Sequence, residues 1–345
     1  MSIKWQISHL GFNYVLWYSS KKSSNLKAST SKLVLFIALT ILIASQQYSQ
    51  SVTGRHLTNS SIESGSLNQT TIDSGYAEVN GTKLYYETAG TGIPIVLIHG
   101  SFGDRRHWDF QFSEFAKKFK VIRYDVRGYG KSALPNPDSA YTDSEDLGEL
   151  MKFLKINKVH VCGLSMGSII AIDFVLAHPD KCSSLIVVGP RVAGDGAPEY
   201  KTLNTDSVNT SISKIVEIVK KGGTKEGTDS LWTGDNPLSK AVRSERTRDA
   251  LLKMGYEYTW WRYLNANKRE QAFPMAIKKL HEIKTHALVV TAEYDLAICK
   301  NVAKIMANEI QGAKLVSIRG AGHIMNMDKP QKFNKVIYQY ISQLK

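Results

Sequence analysis

Cysteine is scarce in this chain. Only Cys162, Cys182 and Cys299 occur among 345 residues, too few and too widely spaced for a disulfide framework or a CxxC metal site. HExxH and paired Cys/His spacings are also missing, so neither a metal nor another cofactor is implied. Long basic runs are absent despite a formal net charge of +13. The lysines and arginines are mixed with acids, and their clusters are pairs such as Lys21-Lys22 and Lys278-Lys279. Without an aromatic-interleaved basic stripe, the excess reads as solvated surface, and no nucleic-acid partner is expected. No internal repeat appears. What remains is ordinary globular composition, 43% hydrophobic and 22% charged, over a length that fits one large domain with an insertion, or two domains.

A spanning run of about 20 apolar residues is lacking too. The longest candidate, Leu33 to Ala44 (LVLFIALTILIA), follows Lys27 and Lys32 and precedes a polar stretch. That pattern suits the apolar region of a signal peptide. The stretch before it is long for a leader and carries Trp5, Phe12, Trp17 and Tyr18, which leaves open an uncleaved signal anchor or a start later than Met1. Residues 1–45 are therefore expected to be a leader that exports the chain or anchors it to a membrane. Residues 46–74, rich in Ser, Thr, Asn and Gln, read as a disordered tether. In that tether and the turn after it, three Asn-x-Ser/Thr sequons at Asn59, Asn68 and Asn80 add to the case for export.

From Tyr76 the texture changes. YAEVNGTKLYYETAG predicts two strands joined at Asn80-Gly81. IPIVLIHG is a near-continuous apolar run, as in a parallel strand buried on both faces. Helical and strand signals then alternate through KVIRYD (120–125), Thr142 to Leu154, KVHVCG, Ser165 to Ala177 and SSLIVVG (183–189). After Pro190 the rhythm fails for roughly ninety residues, a stretch that includes the aromatic-dense MGYEYTWWRYL (254–264), which reads as a helix. It resumes with THALVVTAEYD, the helix Cys299 to Glu309, AKLVSIRGAGH and a last amphipathic helix from Pro330. This order predicts an α/β fold: a mostly parallel sheet flanked by helices, with a helical cap inserted after the sixth strand.

The chemistry concentrates at Gly163-Leu164-Ser165-Met166-Gly167, a G-x-S-x-G between a strand and a helix. Glycines two residues either side of Ser165 relieve crowding around a strained backbone, and the helix start aims free N–H groups at the hydroxyl. The plainer alternative is a turn in which Ser165 caps the helix. A reactive serine needs a base, and the base needs an orienting acid. Asp295 ends one later strand and His323 follows the next, the order expected for this layout. Glu293 is a rival acid. The other position for an acid, after the strand before the insertion, reads Gly189-Pro190-Arg191, so Asp295 is the favoured acid. Two backbone donors should stabilise the oxyanion. One is the N–H of Met166; the other is that of Ser101, or failing that Phe102, in the Gly-flanked loop after His99.

The region from about Tyr76 to Lys345 resembles the α/β-hydrolase superfamily, in particular its cap-bearing esterase, enol-lactonase and haloperoxidase-like members. The resemblance rests on His99-Gly100 with its loop, DVRGYGKS (125–132), GLSMGS, AHPDK, Asp295 and GAGH. It implies core segments 75–190 and 281–345 around a cap at 191–280. It also implies that Asp125, Arg127 and Ser132 support the oxyanion loop. Two departures stand out: Ser168 and Ala292 occupy positions where the family often has glycine. Serine at 165 speaks against the haloalkane dehalogenases and epoxide hydrolases, which use aspartate there.

The expected activity is hydrolysis of a small-molecule carboxylic ester or lactone through an acyl-enzyme on Ser165. The cap aromatics, Trp232, Trp260 and Trp261 first among them, are expected to line an apolar acyl pocket; simple packing of the cap would explain them equally well. A C–C bond or amide hydrolase with the same triad, and a ligand-binding protein on a disused hydrolase site, are the alternative readings. The oligomeric state is not legible.

Overall fold

A computed structural model describes residues 3–9, 12–18, 71–203, 206–265 and 272–344. The chain divides into two compact units, Met1–Leu67 and Asn68–Lys345. In the first, strands β1 (Ile3–His9) and β2 (Phe12–Tyr18) pair antiparallel, Ile3 opposite Tyr18 and His9 opposite Phe12. A leader was expected there. The apolar run Leu33 to Ala44, the sequons at Asn59 and Asn68, and most of the expected tether lie outside the described residues. Among the described residues, no helix is long and apolar enough to cross a membrane.

The second unit is built on an eight-stranded sheet. Its strands are β3 (Ile72–Val79), β4 (Thr82–Ala89), β5 (Ile93–Ile98), β6 (Phe119–Tyr124), β7 (Val159–Leu164), β8 (Cys182–Val188), β9 (Ala287–Tyr294) and β10 (Lys314–Gly322). They lie in the order β10-β9-β8-β7-β5-β6-β4-β3. β4 runs against both of its neighbours, and β5 to β10 are mutually parallel. The turn between β3 and β4 has Asn80 at φ 47° and Gly81 at φ 67°, the paired positive angles that favour Asn-Gly in a tight hairpin.

The central strands are the near-continuous apolar runs because helices cover both faces. Ile95, Val96, Leu97 and Ile98 on β5 and Leu185, Ile186, Val187 and Val188 on β8 are fully buried. Each such side chain contributes about 1.5–3 kcal/mol of transfer free energy. The covering helices are α1 (Asp109–Phe115), α2 (Asp143–Phe153) and α3 (Met166–Ala177), and later α7 (Ala297–Glu309) and α8 (Pro330–Ser342). Between Val188 and Ala287 comes the cap, with α4 (Asp206–Gly222), α5 (Thr224–Thr233) and α6 (Glu245–Glu257).

One cap expectation fails. MGYEYTWWRYL is not one helix: α6 ends at Glu257, Trp260 turns left-handed at φ 59°, and a single turn Trp261–Leu264 follows. An unbroken helix would have spread these aromatics around its axis. The break instead lets Tyr258 stack on Tyr129, ring centroids 4.8 Å apart, and buries Trp260.

From β5 the chain steps to β6 on one side, then returns to place β7 on the other. The loops leaving β5 and β7 therefore diverge at the carboxyl edge of the sheet. A crevice at such a reversal of strand order is the usual ligand site of an open α/β sheet.

Candidate active site

Ser165 sits in that crevice, between the end of β7 and the first turn of α3. Its backbone is at φ 52° and ψ −108°, and its hydroxyl makes no capping hydrogen bond to the helix. The helix-cap alternative is thereby removed. The corner is pinned from outside by the Ser165 N–H donating to the Val188 carbonyl at 2.9 Å. Only glycine fits on either side. A Cβ on Gly163 would strike the Gly167 carbonyl, and one on Gly167 would strike the Ile98 carbonyl. The start of α3 thus lies directly on the end of β5.

A cavity of about 670 Å³ opens above this corner, with Ser165, Met166, Ser101, Phe102 and His323 on its wall. His323 follows β10, and its Nδ1 lies 2.8 Å from Asp295 Oδ1. The same carboxylate accepts the Leu296 N–H at 2.8 Å and the Thr291 hydroxyl at 3.0 Å. With three donors turned on it, Asp295 is an acceptor-only carboxylate, so Nδ1 carries the His323 proton and Nε2 is left as the basic nitrogen. Asp295 and His323 are 5% and 3% exposed, which keeps their charge interaction out of bulk water. The rival Glu293 instead accepts the Gly320 N–H at 2.9 Å, an exposed contact within the neighbouring loops.

The loop after β5 is held from below. Asp125 accepts the Arg105 N–H at 2.9 Å, the Arg105 guanidinium at 3.1 Å and the Lys131 N–H at 2.8 Å. The Ser132 hydroxyl donates to the Asp125 carbonyl at 2.5 Å. Arg127 lies farther out, paired with Asp146 at 2.6 and 2.8 Å and bonded to the Asn80 carbonyl. The His99 Nδ1–H donates to the Gly100 carbonyl at 2.7 Å, while its Nε2 accepts the Val126 N–H at 3.0 Å. That pattern fits only the neutral ring, and burial lowers its pKa to about 4. Nearby His107, also fully buried, is lowered by burial and by His99 to about 3.

The cap contributes unevenly to the cavity. Trp232 and Trp261 line it; Trp260 does not. Trp260 is 1% exposed and packs behind the wall against Phe102, ring centroids 5.3 Å apart. Tyr263 lines the cavity and stacks on Phe102 at 4.4 Å and 16°. Phe102 itself adopts φ 64°.

Three further contacts were not legible in the residue pattern. The Ala241 carbonyl, from the cap, accepts the His323 N–H at 2.7 Å, so the cap helps to fix the histidine loop. Cys299 Sγ lies 3.8 Å from His323 Nδ1, and burial followed by the Asp295 charge raises its pKa well above the ordinary thiol range. Asp295, Cys299 and His323 form a cluster of metal-ligating types, but His323 Nδ1 and Asp295 already engage each other at 2.8 Å. Arg191, which sequence reading noted only as a missing acid, also reaches the cavity wall. No local pattern marks any of these, because each partner comes from a distant segment or from an ordinary helix position.

Comparison with known proteins bears on the fold. A human serine hydrolase, BPHL, is 26% identical over 286 residues, which cover 79% of this chain and 87% of that protein. An uncharacterised hydrolase of Bacillus subtilis, YraK, is 26% identical over 170 residues, 47% of this chain and 63% of that one. A thermophilic esterase from Thermogutta terrifontis superposes with a TM-score of 0.62 at 24% identity, over 80% of this chain and all but 1% of that one. The family described as the alpha/beta hydrolase fold matches residues 93–330, from the start of β5 to the start of α8. With the strand order, the corner at Ser165 and that match over most of its length, the chain belongs to the alpha/beta hydrolase fold family.

Proposed function

We propose that this protein is a serine hydrolase that cleaves a carboxylic ester or lactone through an acyl-enzyme on Ser165. The observation that carries the reading is a serine held at a strained positive φ, its hydroxyl unused by its own helix, sharing a cavity wall with a histidine oriented by a buried aspartate. In the first step Ser165 Oγ bonds to the carbonyl carbon and its proton passes to His323 Nε2. The oxyanion is met by the Met166 N–H, which as the first helical residue has no partner within α3, and by an N–H of Ser101 or Phe102. The C–O bond breaks, and the alcohol leaves with the His323 proton. Water then bonds to the acyl carbon and gives a proton to the same nitrogen; the bond to Ser165 Oγ breaks, that proton passes to Oγ, and the acid is released. Asp295 holds the ring and stabilises its charge throughout. The serine hydrolase and esterase similarities support this reading.

The test uses the full chain with p-nitrophenyl esters of increasing acyl length, against Ser165→Ala. Turnover should fall by at least about 10³-fold in the variant. Turnover that survives the substitution overturns the assignment of the nucleophile. Ligand binding with no turnover in the wild type would favour a sensor on the same fold.

A further inference from the structure

The cavity wall carries two arginines, Arg191 and Arg262, and no aspartate or glutamate among its described residues. The two differ in what they have left to give. Both terminal nitrogens of Arg262 are engaged, on the Asp143 carboxylate at 2.7 and 2.9 Å and on the Arg127 carbonyl at 3.1 Å. Arg191 uses one edge only, Nε to Asp195 at 2.6 Å and Nη2 to Asp195 at 2.9 Å. Among the described residues no hydrogen bond engages its Nη1. A guanidinium has five N–H donors in a rigid fork, so one carboxylate can orient it while a second binds.

Arg191 is also fixed relative to the nucleophile. Its N–H donates to the Ser168 hydroxyl at 2.8 Å, and that oxygen lies 2.7 Å from the Arg191 carbonyl and 2.5 Å from the Ser165 carbonyl. One hydroxyl therefore ties the backbone at Arg191 to the backbone at Ser165. It belongs to Ser168, where the resemblance led one to expect glycine, and glycine could make none of these contacts. Burial works against the Arg191 charge, but the hydrogen bonds and charge of Asp195 outweigh it and raise its pKa. The group stays cationic.

We propose that Arg191 anchors a carboxylate on the substrate, so that the preferred ester or lactone is an anion. The acid-free wall and the pre-oriented fork favour a carboxylate over a neutral acceptor, since a bond to an ionised group is roughly twice as strong. Asn209 and Ser213, on the same wall, add neutral polar groups from α4. The net charge of +13 favours the approach of such a substrate at low salt.

This inference rests on the serine-hydrolase reading for its chemistry, and the experiment separates the two. Mono-p-nitrophenyl glutarate and p-nitrophenyl pentanoate present the same acyl length with and without a terminal carboxylate. With the full chain, the ratio of kcat/KM for the charged over the neutral ester should fall about tenfold or more in Arg191→Gln, with Arg191→Lys between. The ratio within each variant cancels any loss of folded protein. An unchanged ratio overturns the anchor while leaving Ser165-dependent turnover of the neutral ester in place. Binding of free glutarate against glutaramide, read as a shift in melting temperature of the wild type, decides the matter even without turnover or a folded variant. Glutarate should give the larger shift; equal shifts, or none, overturn the proposal.

Discussion

Phe102 and Ser165 stand on the wall of one cavity, at the ends of adjacent parallel strands, and both hold a positive φ, strain that costs a side-chain-bearing residue about 1–3 kcal/mol. Ser165 is held by backbone. Gly163 and Gly167 let α3 pass within touching distance of β5, and Val188 accepts the Ser165 N–H. Phe102 is held by side chains from far along the chain, with Tyr263 stacked on its ring and Trp260 and Trp232 against its edges. The two halves of the site therefore differ in kind. The nucleophile is built into the core, and the loop expected to complete its oxyanion site is clamped by the cap.

The sharpest way to break the backbone half is Gly167→Ala. The added methyl would run into the Ile98 carbonyl and come within 2.8 Å of the His99 carbonyl, neither of which can move without the sheet. The expected cost is about 3 kcal/mol or more, read from urea midpoints. A variant with wild-type stability and turnover would show that close approach is not what holds the corner.

Acid should find the other half first. His99 and His107 lie in and just after the loop that follows β5, with folded pKa values of about 4 and about 3 against an ordinary 6.5. Between 6.5 and those values the unfolded chain takes up protons that the native state refuses. Their stabilising effect is thus complete above pH 6.5 and is lost on acidification, at up to about 1.4 kcal/mol per pH unit for each ring. Burial is the largest cause for His107; among the charges that face it, His99, His323 and Arg106 also lower its pKa and only Asp104 raises it. Both His107 ring nitrogens are buried without a partner among the described residues, so His107→Leu should flatten the fall of melting temperature between pH 6.5 and 4.5. Parallel curves for wild type and variant would contradict this.

The smallest effect expected is also the most specific. Tyr263→Ala removes a stacked pair worth about 1 kcal/mol and should lower kcat several-fold by loosening Phe102, with Tyr263→Phe restoring it. A change confined to KM would assign the ring to the acyl pocket instead of the clamp.

How far the site could be read in advance follows the same division. Ser165 was legible because its strain is local: glycines at fixed offsets, an apolar strand before and a helix after. Asp295 and His323 were legible because each follows an apolar run, and Asp295 was favoured over its neighbour Glu293 on position alone; the structure adds that His323 lies against Asp295 while Glu293 accepts from Gly320. Trp260 was misplaced for the opposite reason. An aromatic-dense segment announces that it packs on something but not on what, and the helix expected across 254–264 breaks to meet Phe102 and Tyr129.

By itself, then, the sequence determined the alternation of buried strands and helices, the insertion after the sixth strand, and the corner that presents Ser165. Those are matters of period, of glycine at fixed spacing and of apolar runs a few residues long, all of which act within one segment. Only the tertiary structure decided that Ala241 of the cap holds the His323 loop, that Phe102 rests on cap aromatics, and that Arg191 reaches the cavity with one edge free. Each of those depends on two segments far apart in the chain meeting at the carboxyl edge of the sheet, where contact and desolvation, which no local pattern encodes, set the chemistry.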